Sequence, residues 1–320
     1  MSNERSIDFI VNPTSGRGKA LAFAESTARS LRSRGVDVRI HPTAKAGDAE
    51  SIARSLCLDG PPPSIIVPCG GDGTIQQVIN GVAPLRERIA PHMPAIGLAP
   101  AGRCNDFARI FSISRKPESV ARTLLSGKRL AVDLGRVNDR YFCTVATVGV
   151  DADISEFVDK QNLPIRGTPA YVWAALRVLA TYKGRPIRIT GTRHPFDDKV
   201  FLASCANTSS YGGSIKIVPH ADATDGHLDL CRIDHMGLWR SLYLLARVLF
   251  GGRHVSMREV HFDTVTSVRF ECNPQGTIWA DGEAIGTTPA DIAVVPQAID
   301  VIVPAESAAA SDSRIRGSWS

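Results

Sequence analysis

Apolar and amphipathic segments alternate along the first third of the chain. Residues 6–11, 64–68 and 95–99 are apolar enough for buried strands, and residues 36–40 alternate between apolar and polar side chains. A helical pattern follows NPTSGRGKA up to about residue 34, another covers residues 47–58, and a third begins near Asn105 or Asp106. This alternation predicts an α/β domain with a mostly parallel sheet and helices on its faces.

The pattern changes after residue 130, where strand-like runs such as RYFCTVATVGV, KVFLASCAN and SVRFEC predominate. Only residues 168–182 and 238–250 have a helical pattern there, so we expect a mainly antiparallel β-sandwich or barrel. The predicted domains are 1–133 and 134–305, because the change of pattern lies near residues 129–138. Residues 306–320 are small and polar, and we expect a disordered tail.

Composition and charge narrow the class of protein. The chain has 320 residues and a formal net charge of +5, with no block of like charges and few aromatic residues. This predicts no nucleic-acid partner. Seven widely spaced cysteines without a CxxC pair fit a reduced, cytoplasmic interior, and no apolar stretch suits a transmembrane helix or a signal peptide.

Three glycine-containing loops leave the predicted parallel strands: NPTSG, GGDGT and PAGRCND. Ligands of such sheets bind beyond the carboxyl ends of the strands, so we expect all three loops to line one crevice. The bare backbone of Gly70, Gly71 and Gly73 suits a phosphate at a helix N-terminus. Asp72 would repel that phosphate unless Mg²⁺ bridged them. Taken alone, GGDG is equally well interpreted as a tight turn.

The whole series of motifs resembles the diacylglycerol kinase catalytic-domain family, the lipid kinases related to sphingosine and ceramide kinases. The resemblance rests on NPTSG, GGDGTIQQVING, GLAPAGRCNDFAR, VDLGRV, YGGSIKIVP, DGHLDL and ADGE, and it covers nearly the whole chain. It implies an N-terminal domain like that of NAD kinases and diacylglycerol kinases, followed by a β-sandwich.

The resemblance also implies functional residues. Asp72 would lie at the Mg²⁺–phosphate end of the ATP site, and Glu283 would be the general base on the lipid hydroxyl. A structural Mg²⁺ would bind the Asp225 side chain and backbone oxygens at Asp222 and His227. The residues implied for ATP are Asn12, Pro13, Thr14, Ser15, Gly16, Thr43, Gly70, Gly71, Asp72, Gly73, Thr74, Ile75, Gln76, Gly102, Arg103, Asn105 and Asp106.

The residues themselves leave simpler interpretations open. Asp281-Gly282 is also typical of a hairpin turn with Glu283 on its exposed flank, and Asp225-Gly226 is also typical of a plain turn. Three positions depart from the family pattern: Arg103 replaces Thr, Gln76-Gln77 replaces Asn-Glu, and Thr224 replaces an Asp. Arg103 would either add a contact to ATP or fill the space of the loop.

The predicted function is an ATP- and Mg²⁺-dependent lipid kinase, with diacylglycerol as the first acceptor to test and phosphatidic acid as its product. The alternatives are a ceramide or sphingoid-base kinase and a non-catalytic lipid- or nucleotide-binding regulator; an NAD kinase fits the motifs less well. Residues 238–254 form an amphipathic segment that either packs on the sheet or docks on a membrane. Peripheral attachment to the inner membrane face and a homodimer stay open.

Overall fold

The computed structural model describes residues 6–160, 168–213, 215–249, 253–306 and 315–318. The chain divides into two compact units. Unit 1 comprises Met1–Asp133 together with Pro296–Ser320, and unit 2 comprises Leu134–Val295. No helix within the described ranges is long and apolar enough to cross a membrane.

The secondary structure follows the alternation of the sequence. The strands are β1 Ser6–Val11, β2 Asp37–Pro42, β3 Ile65–Gly70, β4 Ala95–Ile96, β5 Ala99–Pro100, β6 Lys128–Val137, β7 Arg140–Phe142, β8 Val145–Gly149, β9 Arg185–Thr190, β10 Phe196–Ala206, β11 Leu228–Asp234, β12 Val260–Val265, β13 Ser267–Cys272, β14 Thr277–Ala280, β15 Glu283–Thr287, β16 Ala290–Val303 and β17 Ile315–Ser318. The α-helices are α1 Ser15–Gly18, α2 Ala20–Arg32, α3 Asp48–Leu58, α4 Asp72–Val82, α5 Arg86–Ile89, α6 Asp106–Ile110, α7 Pro117–Ser126, α8 Val150–Lys160, α9 Thr168–Leu179 and α10 Leu238–Leu249. Short 3-10 helices cover Ala83–Leu85, Ala90–His92 and Arg253–Ser256.

Unit 1 is built on a parallel sheet. Strand β1 lies between β2 and β3 and is parallel to both, and β3 pairs in parallel with β4 and β5. At the end of β1, Val11 lies opposite Pro42 on one side and Cys69 on the other. The carboxyl ends of these strands therefore lie at one edge of the sheet, where the three glycine-containing loops begin.

Helices α3 and α4 pack closely because Gly81 has no side chain. A Cβ atom at this position would lie 2.4 Å from the Glu50 carbonyl oxygen and 2.8 Å from the Ala53 Cβ. Buried side chains of α4, such as Val78 and Ile79, also contribute to the core of unit 1. This packing supports the N-terminus of α4, which begins at Asp72.

Unit 2 consists of antiparallel strands, and β10 takes part in two sets of pairings. Its first half pairs with β9, whereas its second half pairs with β8 and β11, with a register shift between Val200 and Leu202. Pairing continues from β11 to β12, from β8 to β14 and β15, and from β9 to β13 and β16. A shift of this kind lets one long strand join two layers.

Two apolar clusters fill unit 2. One lies among the strands and includes Phe142, Phe270 and Ile278, all fully buried. The other joins strands β10 and β11 to the helices; for example, Phe201 and Ile233 pack together with Leu244 of α10. The helices α8, α9 and α10 thus contribute to a second core of unit 2.

The predicted fold class is confirmed, and most predicted strands lie within two residues of the observed ones. The predicted strand at 95–99 is two short strands, because regular pairing with β3 is interrupted at residues 97 and 98. The predicted helix at 168–182 ends at Leu179, and α10 is described to Leu249, so residue 250 lies outside the described residues. Helix α8 was not predicted, because its start continues the β-branched run of β8.

Two predictions for the C-terminal part differ from the structure. The second domain was expected to end at residue 305, but unit 2 ends at Val295 because β16 continues into unit 1, where Val301 pairs with Ile96. The tail was expected to be disordered, yet Ile315–Ser318 forms β17, paired with β6. The remainder of the tail beyond residue 306 lies outside the described residues.

Candidate functional site

The three glycine-containing loops of unit 1 lie against one another. A Cβ atom on Gly16 would lie 2.4 Å from the Ala101 carbonyl oxygen, and a Cβ atom on Gly102 would lie 2.3 Å from the Gly71 Cα. The backbone amides of Ala101 and Gly102 both donate to the Gly70 carbonyl oxygen, at 3.0 and 2.8 Å. These contacts leave no room for a side chain at positions 16 and 102, so the loops meet there through their backbones.

The first loop is closed by its own side chains. The Asn12 Oδ1 accepts hydrogen bonds from the Thr14 backbone amide at 3.1 Å and the Thr14 hydroxyl at 2.8 Å. The Ser15 amide donates to the Asn12 carbonyl at 3.1 Å, and Gly16 has a φ of +61°. Thr43 joins this edge because its amide donates to the Val11 carbonyl at 2.8 Å. Pro13 lies between Asn12 and Thr14, inside this hydrogen-bonded loop. The bonds on both sides of it fix the conformation of residues 12–16.

The N-terminus of α4 faces the same loops. Gly71 precedes the helix in an extended conformation, and the first helical hydrogen bond is donated by the Ile75 amide to the Gly71 carbonyl at 3.2 Å. The amides of Asp72, Gly73 and Thr74 lie ahead of that bond, where helices bind anions. A Cβ at Gly70 would lie 2.3 Å from the Thr74 Oγ1, so Thr74 packs on the glycine backbone.

Asp72 lies beside a second carboxylate. The Asp72 Oδ1 accepts a hydrogen bond from the Phe107 amide at 3.3 Å, at the start of α6. Burial raises the pKa of Asp72, and the negative charge of Asp106 raises it further, whereas backbone amides of residues 105–107 lower it. Asp106 is itself buried and lies 3.2 Å from the Arg109 guanidinium. Two carboxylates therefore lie close together, and a bound cation would reduce the repulsion between them.

Some of the predicted ATP-site residues have buried side chains. Ile75 and Gln76 are almost fully buried and Thr74 nearly so. Ile75 contributes to the core, and the Gln76 carbonyl accepts a hydrogen bond from the Asn80 side chain at 2.9 Å. Gln77, the other residue that departs from the family pattern, accepts a hydrogen bond from the Gly47 amide at 3.3 Å. Ile75 and Gln76 thus directly follow the glycine loop in the sequence, and their side chains are inaccessible to solvent.

The loop that follows β5 is held by hydrogen bonds from Asn105, within the loop, and from Arg115, later in the chain. Asn105 has a left-handed conformation and bonds Gly102 twice, accepting from its amide and donating to its carbonyl at 2.9 Å. The Arg115 guanidinium donates to the carbonyls of Gly102 and Arg103 at 2.7 Å. Arg103 itself is exposed. Sequence reasoning missed Arg115, because nothing in its surroundings marks a partner twelve residues earlier.

Glu283 lies directly after a tight turn in unit 2. Asp281 and Gly282 both have positive φ values, +54° and +87°, and Ala280 pairs with Glu283 across the hairpin of β14 and β15. These are the features of a two-residue type I′ turn, for which Asp-Gly is a preferred sequence. The hairpin interpretation of ADGE is therefore confirmed, and Glu283 is partly exposed on its flank.

Asp281 anchors this turn. Its Oδ2 accepts a hydrogen bond from the Cys143 amide at 2.7 Å, and its Oδ1 accepts from the Thr144 amide at 2.9 Å and the Thr144 hydroxyl at 2.5 Å. The same segment is held by Asn207, which donates to the Cys143 carbonyl at 2.9 Å. Sequence reasoning did not assign Asp281 this role, because its partners lie 137 and 138 residues away.

A half-buried carboxylate, that of Asp151, lies near this hairpin and was also missed. Asp151 accepts hydrogen bonds from the hydroxyls of Thr147 and Tyr211, and burial raises its pKa. Thr147 lies opposite Trp279, on the strand that leads into the turn. The signal available in the sequence was the acidic first turn of α8. Because perturbed carboxylates cluster at functional sites, Asp151 joins the candidate residues of unit 2.

The predicted structural metal site is a closed turn. The Asp222 Oδ1 accepts from the Thr224 amide and hydroxyl at 3.0 and 2.7 Å, and the Asp225 Oδ1 accepts from the His227 amide at 2.9 Å. The Asp225 amide donates to the Asp222 carbonyl at 3.4 Å. Within the described residues, no group of three or more His, Cys, Asp or Glu side chains could hold a metal ion. The turn offers two exposed carboxylates, those of Asp222 and Asp225, together with backbone oxygens, which fits a weakly held Mg²⁺.

Unit 2 also carries a surface depression of about 520 Å³ beside α8 and α9. Its lining includes Asp153, Phe157, Arg177, Tyr182 and Arg185. Asp153 and Arg185 form an ion pair across it. Because charged and aromatic side chains share the lining, the depression does not have the character of a purely apolar acyl-chain pocket.

Comparison with known proteins gives the family. The sequence model of the diacylglycerol kinase catalytic domain matches residues 6–137. A second model, described as the YegS C-terminal NAD kinase beta sandwich-like domain, matches residues 144–303. The chain belongs to the diacylglycerol kinase family of lipid kinases. The resemblance inferred from the motifs is thus confirmed over nearly the whole chain.

Bacterial members of this family match most of the chain. A diacylglycerol kinase of Mycobacterium tuberculosis is 32% identical over 303 residues, which are 92% of this chain and 94% of that protein. One of Bacillus subtilis is 28% identical over 300 residues, 93% and 96% of the two chains. The crystal structure of a diacylglycerol kinase from Bacillus anthracis has the same fold, with a TM-score of 0.73, 22% identity, and coverage of 95% and 98%.

Proposed function

We propose that this chain transfers the γ-phosphate of ATP to the hydroxyl of diacylglycerol and so produces phosphatidic acid. The observation that carries the proposal is the N-terminus of α4, where Asp72 lies among backbone loops that only glycine can form. A kinase of this family uses ATP, and the first amides of α4 are suited to bind its phosphates. Asn12–Gly16, Thr43 and Gly102–Asp106 would surround the same nucleotide.

The carboxylates of Asp72 and Asp106 support the proposal that the kinase uses Mg²⁺. The half-buried carboxylate of Asp72 lies next to that of the buried Asp106, whose negative charge adds to desolvation in raising the pKa of Asp72 in the absence of a cation. These residues fit a hard divalent ion with oxygen ligands. Bound there, Mg²⁺ would supply neutralisation of the phosphate charge. Asp72 and Asp106 would hold it, and the amides of α4 would orient the phosphates.

Glu283 is the proposed general base. It would accept the proton of the acceptor hydroxyl as the hydroxyl oxygen attacks the γ-phosphorus and ADP departs. Its position depends on the type I′ turn before it and on Asp281, whose three hydrogen bonds fix that turn. Asp281 is therefore a positioning residue in this proposal, and Glu283 is the residue that touches the substrate.

The test is a parallel acceptor assay with γ-labelled ATP. Diacylglycerol, ceramide, a sphingoid base, phosphatidylglycerol and NAD are offered separately in mixed micelles or buffer with Mg²⁺. We expect label in phosphatidic acid, none in NAD, and loss of transfer in Glu283→Gln. Glu271→Gln is the matched control, because Glu271 is an exposed strand residue paired with Arg269.

Label in ceramide or the sphingoid base alone would identify that lipid as the acceptor and leave the lipid-kinase mechanism unchanged. Label in NAD alone would overturn the assignment as a lipid kinase. Binding of ATP and Mg²⁺ without transfer to any acceptor would favour a non-catalytic regulator. Each outcome is distinguishable by chromatography of the labelled product.

A further inference from the structure

Helix α10 of unit 2 carries aromatic side chains on its solvent-facing side. Ser241, Leu244 and Val248 are buried against the core, as expected for one face of a surface helix. On the opposite side, Trp239 is 83% exposed and Tyr243, one turn later, is 48% exposed. A surface helix normally presents polar residues there, so an exposed Trp and Tyr pair is informative.

Cationic side chains surround these aromatic rings. The Arg240 and Arg247 guanidinium carbons lie 5.7 and 5.6 Å from the centre of the Tyr243 ring, and Arg247 also donates to the Tyr243 hydroxyl at 3.0 Å. Arg247 further donates to the Arg253 carbonyl at 2.6 Å, which joins α10 to the 3-10 helix Arg253–Ser256. The helix and the following turn therefore form one continuous surface.

The charge of this surface is positive. The stretch 235–258 contains four arginines and no Asp or Glu. Two carboxylates flank this stretch in the sequence: Asp234 pairs with Arg232 at 2.9 Å, and Glu259 pairs with Arg240 at 2.9 Å and Arg258 at 3.2 Å. Counting Glu259 still leaves a net charge of +3 over 235–259 with neutral histidines. Arg253 and Val255, the latter 44% exposed, add a cation and an apolar side chain beside the helix.

We propose that Trp239, Tyr243 and Val255, with Arg240, Arg247, Arg253 and Arg258, form a docking surface for an anionic lipid bilayer. Tyr and Trp favour the membrane–water interface because they combine an apolar ring with a polar group. Arginines on the same surface attract anionic headgroups, and each contributes about 1 kcal/mol near such a membrane. Both kinds of contact are present here, so the occupant is a bilayer instead of an apolar protein groove.

This inference rests on the proposed function, because a kinase that phosphorylates a membrane lipid must reach that lipid at the membrane surface. It assigns that contact to one helix of unit 2. The contact is measured without any kinase reaction, as binding of the protein to phosphatidylcholine vesicles with and without anionic phosphatidylglycerol.

The key variant is Trp239→Ala, whose side chain is too exposed for its loss to unfold the chain. We expect it to weaken binding to anionic vesicles about tenfold, which is about 1.4 kcal/mol and within the range for burying part of an aromatic ring. Trp173→Ala is the matched control, because Trp173 is 44% exposed on α9. An equal loss in Trp173→Ala would overturn the assignment to α10.

Arg253→Gln tests the electrostatic part. We expect about fivefold weaker binding to anionic vesicles, corresponding to about 1 kcal/mol, and no change on neutral vesicles. Arg88→Gln is the control, an exposed arginine of unit 1. Binding that is insensitive to both salt and Arg253→Gln would contradict an anionic partner.

Brominated phosphatidylglycerol locates the contact directly. Because bromine quenches tryptophan only at close range, wild-type fluorescence should fall on vesicle binding, and Trp239→Phe should retain binding while losing most of that quenching. Unchanged quenching in Trp239→Phe would place the contact elsewhere. A wild-type dimer that becomes monomeric in Trp239→Ala, with vesicle binding unchanged, would instead assign the surface to a second copy of the chain.

Activity on short-chain diacylglycerol in neutral detergent micelles separates the two proposals. Trp239→Ala should retain wild-type turnover there, because the micelle removes the need for bilayer docking. Full micelle activity with undiminished vesicle binding in Trp239→Ala would end the docking proposal and leave the kinase intact. Vesicle binding through Trp239 without phosphate transfer would uphold the surface and refute the kinase.

Discussion

The dipeptide Asp-Gly occurs at both candidate sites, and its two conformations differ. In unit 1, Asp72 begins a helix, and its carboxylate lies beside that of Asp106. In unit 2, Asp281 and Gly282 form a type I′ turn, and the Asp281 carboxylate accepts three hydrogen bonds from Cys143 and Thr144. The Asp72 pKa is raised by burial and by Asp106 despite the backbone amides of residues 105–107, whereas the Asp281 carboxylate is fully engaged in holding its turn.

The surroundings of the two carboxylates indicate which Asp-Gly motif binds a ligand and which one stabilises a turn. An Asp that accepts several short bonds from backbone amides stabilises its loop. An Asp whose pKa is raised by burial and by a like charge costs the fold free energy, and that cost is typical of a ligand-binding residue. We therefore propose that Asp72 binds the ligand, that Asp281 stabilises its turn, and that this turn holds Glu283 in position.

The largest expected effect is that of Asp72→Asn on catalysis. We expect kcat/KM for Mg²⁺–ATP to fall on the order of 10³-fold, since the variant removes the charge that would hold the cation against the phosphates. Asp59→Asn, on the exposed end of α3, is the control and should retain activity. Normal turnover of Mg²⁺–ATP in Asp72→Asn would mean that Asp72, like Asp281, only stabilises its loop.

Asp72→Asn should lower activity but raise the stability of the ligand-free protein at neutral pH. The folded-state pKa of Asp72 lies above its ordinary value of 3.8, so the folded chain binds more protons than the unfolded chain between those two values. The stability of the ligand-free protein should therefore fall as pH rises through that window, and Asp72→Asn should remove this contribution. Melting curves from pH 4 upward test it: an Asn variant that melts below the wild type at neutral pH would contradict the burial cost.

Asp281→Ala should mainly reduce stability. It removes the acceptor of three hydrogen bonds, two of them from backbone amides, so we expect the free energy of unfolding to fall by about 3 kcal/mol. Asp281→Asn should lose less, because Asn tolerates positive φ and keeps one oxygen acceptor. Urea titration measures both.

The matched control is Asp197→Ala, which breaks an exposed pair with Arg188 and should change stability by under about 1 kcal/mol. If Asp281→Ala were as stable as this control, the turn would not depend on its anchor, and the contrast between the two Asp-Gly sites would be lost.

Arg103→Thr restores the residue usual in the family. Arg103 is exposed while its carbonyl is held by Arg115, so its side chain is available to a phosphate. We expect ATP affinity to fall by roughly 1–3 kcal/mol, the range for a charge-assisted hydrogen bond. Calorimetric titration tests this, with Arg39→Thr on β2 as the control. Tighter ATP binding in Arg103→Thr would mean that the arginine obstructs the loop.

The smallest effect is expected at another Asp-Gly dipeptide of unit 2, Asp225-Gly226. If Mg²⁺ binds this exposed turn, then at ten times its Kd it should stabilise the chain by about 1.4 kcal/mol, and Asp225→Ala should abolish that increment. Melting curves with and without Mg²⁺, measured without ATP, report it. Identical curves for wild type and Asp225→Ala at all Mg²⁺ concentrations would leave the turn with a purely structural role.

Much of the fold was predictable, because buried strands such as β1 and β3 are continuous apolar runs and the loops between them contain glycine. Helix α8 was not, since its start repeats the composition of the strand before it. The three loops of unit 1 were expected to meet, and they do so through the backbone contacts of Gly16 and Gly102.

The support of the site was less predictable than its motifs. Arg115 and Asp281 act on segments that are distant in the sequence, and no local pattern reveals such partners. Conversely, Ile75 and Gln76 belong to a binding motif by position, yet their side chains are buried because α4 packs that face inward. A motif therefore indicates where a site lies more reliably than which side chains face it.

The central claim is that Glu283 is a base in phosphate transfer to a lipid and takes no part in ATP binding. The most direct measurement compares Glu283→Gln with wild type for both turnover on diacylglycerol and ATP affinity. We expect kcat to fall on the order of 10²-fold or more with ATP affinity unchanged, since a general base acts in the transition state. Turnover near that of the wild type, or a loss that follows ATP affinity alone, would contradict the account.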